Sequence, residues 1–220
     1  PVRWVTRDGI PRSGDYALFF LEGPAWWEYN PKRAMYDYHE HDYERHAHYF
    51  FTIDRPSMPM PSVESPTPTR RQSDYIGMWG IIGRKTNLRE SGREFFGDQF
   101  AFTIERTYTP PLTRGVVGSE VKYFARLAAA SKRVTGFNLS VEGVSVGTLE
   151  LAPSFLTDGS LATVDELSGA FNLPTEKLAL KIRFLRPSYS SSGWLSRLWV
   201  NVRQRFPERV SQLPFFVDRE

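Results

Sequence analysis

The sequence contains no cysteine among its 220 residues. Disulfides, thiolate metal sites and cysteine nucleophiles are excluded together. The compartment stays unassigned, because a cysteine-free chain is tolerated in oxidising and reducing surroundings alike. Long apolar runs are missing too. The stretch Tyr16-Ala17-Leu18-Phe19-Phe20-Leu21 falls far short of the roughly 18 to 20 residues that cross a bilayer. It follows Asp15 rather than a basic leader, so no signal peptide is expected. The motifs of common enzymes are also absent: no Gly-x-Ser-x-Gly, no phosphate-binding Gly-x-x-x-x-Gly-Lys-Ser/Thr, no Gly-x-Gly-x-x-Gly. The chain resembles no known family.

Lysine is scarce. Of 28 basic residues 22 are arginine, the side chain suited to bidentate and stacked contacts. The net charge of +3 hides a blocked distribution. Residues 15–64 carry nine acids against four bases, and residues 70–133 carry twelve bases against six acids. Residues 134–176 hold six acids and no base, and residues 177–209 hold eight bases with Glu208 as their one acid. Such blocks either mark docking faces or neutralise one another within the fold.

What the chain does have is aromatic residues, 15% of its length, and a cluster of histidines. All four, His39, His41, His46 and His48, lie within ten positions as two His-x-His pairs. Alternating side chains on a strand would send each pair to one face. A turn at Asp42 to Arg45 would set His41 opposite His46 and His39 opposite His48. The four imidazoles would then hold zinc or another divalent transition metal, with Glu40, Asp42 and Glu44 as outer acceptors. An interleaved, solvated face of histidine, tyrosine and acid has the same sequence.

Pattern predicts an aromatic-rich meander at the N-terminus. Asp15 to Glu22 reads as a strand, and two more flank a turn at Asn30-Pro31-Lys32-Arg33. Residues 55–69 contain five prolines and predict an excursion without regular structure. Strands are expected at Tyr75 to Ile82, Gln99 to Thr107 and Leu178 to Leu185, and a hairpin around Glu142-Gly143 with Phe137, Leu139 and Val141 inside. Ser119 is placed to cap a helix running to about Ser131, with Val121, Phe124, Ala125 and Ala128 on one face. Thr163 and Glu166 form a capping-box pattern for a short helix to about Ala170. From Gly193 to Phe206 helical and strand spacing compete, and the serines before it favour a helix. The fold class expected is therefore α+β: mainly antiparallel sheet, with two or three short helices in the C-terminal half. It is read as one domain over 1–220, with subdomains 1–54 and 70–220 as the alternative.

Arginines alternate with aromatics in two places. Candidate docking residues for a polyanion or a protein are Arg84, Arg89, Arg93, Arg183, Arg197 and Arg203, with Trp194 and Trp199. The C-terminal segment with Trp194, Leu195, Leu198 and Trp199 also suits an anionic membrane surface or a partner groove. Aromatics and arginine anchor interfaces. The sequence reading is thus a non-catalytic binding or assembly subunit of a larger complex, with protein partners and no cofactor. A metal-dependent enzyme centred on the histidines and a nucleic-acid-binding subunit of a ribonucleoprotein are the competing readings.

Overall fold

The computed structural model describes residues 2–5, 12–19, 21–51, 67, 71–88, 92, 94–112, 114–154, 161–208 and 216. Among these every regular element is a strand. They fall into two compact units: Pro1–Glu28 with Tyr38–Arg71, and Tyr29–Asp37 with Gln72–Glu220.

The first unit holds β1 (Val2–Val5) and β2 (Tyr16–Phe19), an antiparallel pair in the register Val2 to Phe19 through Val5 to Tyr16. β3 (Ala25–Asn30) and β4 (Met35–Glu40), whose residues Tyr29–Asp37 belong to the second unit, pair with each other and flank the expected Asn30 to Arg33 turn. In that turn the Asn30 Oδ1 accepts the Lys32 N–H at 3.0 Å, the local bond for which asparagine is favoured at turns. The proline-rich segment 55–69 lies outside the described residues except for Thr67.

The second unit is a two-layer sandwich. One sheet runs β10 (Val144–Leu151), β9 (Thr135–Val141), β12 (Leu180–Phe184), β7 (Glu105–Tyr108). The other runs β11 (Thr163–Asn172), β8 (Glu120–Ala130), β13 (Ser192–Arg205), β5 (Asp74–Ile82). A short β6 (Gln99–Phe100) also pairs with β13. Every pairing is antiparallel. If the eight longer strands from β5 onward are lettered B to I, the sheets read B-I-D-G and C-H-E-F. That order is a jelly roll, two Greek keys wrapped face to face.

Both sheets contribute to one core. Phe137, Leu139, Ile182 and Phe184 meet Tyr123, Leu127, Leu195 and Val200, all nearly inaccessible. The expected hairpin is present, with Glu142 and Gly143 both at positive φ, 48° and 79°, as a two-residue connection of this type requires. Gly193 fits where no larger residue would: a β-carbon there would lie 2.6 Å from Phe137 Cζ.

The predicted helices are strands, and the α+β expectation is corrected to all-β among the described residues. Each misleading pattern has a physical source. In β8, Val121, Tyr123, Ala125, Leu127 and Ala129 face the inter-sheet core, yet Phe124 and Ala128 on the opposite side are also buried. A strand covered on both faces loses its period-2 signature, and the residues at 121, 124, 125 and 128 then mimic a helix. The capping-box pair is cross-strand chemistry: Glu166 stands opposite Arg126, whose Nη1 donates to it at 3.0 Å. In β13 a bulge between Leu195 and Arg197 shifts the register. Leu195 and Leu198 therefore both face inward at a spacing of three, which reads as helical turn geometry. The stretch Gln99 to Thr107, expected as one strand, splits because it changes sheets: β6 joins β13 and β7 joins β12.

Candidate docking surfaces

In the first unit the histidine hairpin is absent, which corrects the geometry expected for a four-imidazole site. β4 pairs with β3, and no strand runs through His41 to Phe51. The His39 ring stacks on Trp26, centroids 5.3 Å apart and 12° from parallel, with the Glu28 carboxylate at 3.5 Å. His41 Nδ1 accepts the Glu44 N–H at 2.9 Å, so the lone pair a metal would use is committed to a turn. His46 and His48 are exposed. Among the described residues no three His, Asp or Glu side chains gather as a metal site would need.

The same unit displays its aromatics. Among its residues outside Val2–Val5 and Leu18 that the structure describes, none is buried, and Tyr16, Phe19, Trp26, Tyr43, Tyr49, Phe50 and Phe51 are exposed. The rings of Phe19 and Phe51 meet edge to face at 4.6 Å. The Tyr49 hydroxyl donates to the Glu22 carbonyl, and His41 N–H to the Pro24 carbonyl at 2.8 Å. The backbone is thus tied locally while the ring faces remain open to solvent. Scattered exposed apolar residues are ordinary, but contiguous ones mark interaction sites.

In the sandwich unit the residues Tyr29–Asp37 are fastened to the outer face of the β8–β13 sheet. Asn201, at an outward position of β13, accepts the Tyr36 N–H at 2.5 Å and donates to the Tyr36 carbonyl at 2.9 Å. Its amide serves as one rung of a β-ladder. The buried Asp37 carboxylate accepts from Asn30 Nδ2 at 2.8 Å, Arg33 Nη2 at 2.5 Å and Trp199 Nε1 at 3.2 Å. Arg33 also lies 4.5 Å from the centre of the Phe124 ring, which stacks on Trp199 at 4.3 Å. Beside this clasp lies a cleft of about 400 Å³ lined by Tyr29, Tyr36, Ile76, Lys122 and Arg203. Its cations are already engaged: Lys122 donates to the Ala34 carbonyl at 2.6 Å, and Arg203 to Asp74 at 2.6 Å. The Arg203 hydrogen bond holds the Asp74 carboxyl below its ordinary pKa against partial burial.

The candidate docking residues that the structure describes do not converge. Trp194 and Trp199 are 8% and 3% exposed, so their surfaces are spent inside the fold, Trp194 against Phe96 and Ala128. The segment around them is a strand covered on both faces, which removes it as an amphipathic membrane helix. Arg197 and Arg203 share the outer-face parity of Trp199 and Asn201 on β13, whereas Arg183 points outward from β12 in the opposite sheet, 3.4 Å from Glu105. Arg84 follows β5, and Arg89 and Arg93 lie outside the described residues. The sequence reading missed Asn201 and Asp37. The signal for Asn201 was present: an amide within Trp199-Val200-Asn201-Val202, where a fully solvated face would not need tryptophan beside it.

No family model matches the chain, and no curated protein matches it in sequence. Solved structures do match. Dimeric latent PorU from Porphyromonas gingivalis aligns over 88% of this chain and 19% of its own, at 16% identity and a TM-score of 0.70. The chain thus spans about a fifth of that protein, and the likeness is one of fold. The CBM36-1 domain of a multidomain xylanase, from the hindgut metagenome of Trinervitermes trinervoides, aligns over 56% of this chain and 96% of its own. Its identity is 13% and its TM-score 0.39. A carbohydrate-binding module CBM36 in complex with calcium and xylotriose covers 56% of this chain and 87% of its own, at 14% identity and a TM-score of 0.35.

Proposed function

We propose that this chain is a non-catalytic docking module of a larger assembly, binding a protein partner through the aromatic surface of its first unit. The observation that carries the reading is the seven exposed aromatics of that unit. Tyrosine, tryptophan and phenylalanine lose little rotamer freedom for the area they bury, which is why they dominate binding hot spots. Support also comes from the fold of PorU, where a region of this size forms one part of a much longer chain.

Site-specific photo-crosslinking in the source cell tests the reading. A photoreactive phenylalanine analogue at Phe50 should give one discrete protein adduct, lost when Phe51 and Trp26 are changed to serine. The same analogue at Thr107, on the polar outer face of the C-H-E-F sheet, should give none. Adducts at Phe50 no stronger than at Thr107 would overturn the proposal.

A further inference from the structure

One end of the sandwich carries a feature that the docking reading does not use. The connections β6–β7, β8–β9 and β12–β13 meet there. Arg186 donates to the Ala101 carbonyl, and Ser191 Oγ donates to Ser131 Oγ at 3.1 Å. Thr135 Oγ1 donates to the Leu185 carbonyl at 2.9 Å. From this bonded platform two rings project: Phe102 is fully exposed at 103% and Tyr189 at 97%. Val134 and Leu185 stand exposed beside them.

Three of the connections at this end carry charge of one sign. The stretches Ala101–Ile104, Ser131–Val134 and Leu185–Ser191 contain Lys132, Arg133 and Arg186 and no acid. Lys132 and Arg133 are exposed, without an ion-pair partner among the described residues. Arg186 lies over the Tyr189 ring at 4.7 Å, which holds a cation at the base of an apolar tip.

We infer that this loop end docks on an anionic lipid surface, inserting Phe102 and Tyr189 at the headgroup–acyl boundary while Lys132 and Arg133 face the phosphates. Separate apolar tips suit a fluid layer that closes around each one, whereas a rigid protein partner needs a complementary patch. Tyrosine is at home at that boundary, its ring in the apolar zone and its hydroxyl in the wet one. The exposed cations Lys132 and Arg133 complement the surface potential of anionic leaflets. A nucleic acid would use the cations but has no place for Val134 and Leu185.

The test is flotation of the full chain with phosphatidylcholine vesicles, with and without phosphatidylserine, at low and high salt. The chain should float with phosphatidylserine vesicles and be released by salt. Phe102→Ser with Tyr189→Ser should lower partitioning roughly tenfold or more through lost apolar burial, with an unchanged thermal transition. Lys132→Glu with Arg133→Glu should do the same, whereas Lys177→Glu, in the β11–β12 connection, should not. The inference is overturned by absent flotation, by flotation insensitive to Phe102 and Tyr189, or by binding to heparin in place of vesicles.

Discussion

Phe137 and Phe50 are the same side chain in opposite circumstances. Phe137 is enclosed between two sheets, with Phe100 at 5.5 Å and Phe184 at 5.0 Å. Phe50 is 95% exposed. Around Phe137, strands on both sides place a side chain every second residue against the opposite sheet, so the aromatics of those strands become core. In the first unit β1 and β2 form a sheet of two strands, and such pairs are marginal alone in water. Aromatic content therefore teaches little by itself. What matters is whether a second layer exists to receive it.

The largest effect that comparison anticipates is in the sandwich. Phe137→Ala should cost about 3 to 5 kcal/mol, lost burial plus an unfilled cavity, read as a shift of the denaturation midpoint followed by tryptophan fluorescence. A cost no greater than that of an equivalent change in the first unit would erase the distinction.

Next comes the clasp that holds Tyr29–Asp37 to the sheet. Asn201→Ala leaves the Tyr36 N–H and carbonyl without partners in a buried setting. The expected cost is about 1 to 3 kcal/mol, with faster amide exchange at Tyr36 and unchanged protection along β9. Equal loosening at both places would mean that the clasp and the sandwich open as one.

These two sites also mark how much could be read from sequence. The Glu142-Gly143 hairpin, the Asn30 to Arg33 turn and the inward Phe137, Leu139 and Val141 were legible, because those strands alternate over a face open to water. β8 and β13 were not. Both are covered on two sides, so hydrophobic period, the main signal for strand against helix, was erased. The bulge at Ser196 added a helical spacing of its own. The described docking arginines are dispersed for a different reason. Sequence proximity placed Arg183 with Arg197, but β12 and β13 lie in different sheets and carry them to opposite faces. Phe102 and Tyr189 were invisible because single aromatics in connections have no period at all.

A smaller effect sits at the sheet edge, where Asp74 of β5 meets Arg203 of β13. The folded carboxyl has a lowered pKa, so the unfolded chain binds its proton more tightly. The contribution is then complete above the unfolded value of roughly 3.9 and disappears as pH falls through the folded one. Asp74→Asn should lower the thermal midpoint at neutral pH by an amount corresponding to about 1 kcal/mol or less. It should also make the acid limb shallower. A variant whose acid limb matches that of the parent would assign the acid sensitivity to other carboxylates.

The smallest effect on stability is expected where the proposed effect on binding is greatest. Phe50 has almost no contact area to lose, so Phe50→Ser should leave the unfolding free energy within about 0.5 kcal/mol of the parent. The same holds for a hydrophobic ring placed there only to be bound, since its burial free energy is collected in the complex rather than in the fold. Removing it should abolish the partner adduct formed through a photoreactive group at the neighbouring Tyr49 while the melting curve stays superimposable. A loss of several degrees in the melt would show instead that Phe50 packs within this chain in solution. The first unit would then resemble the second, and the contrast between a buried and a displayed set of aromatics would collapse.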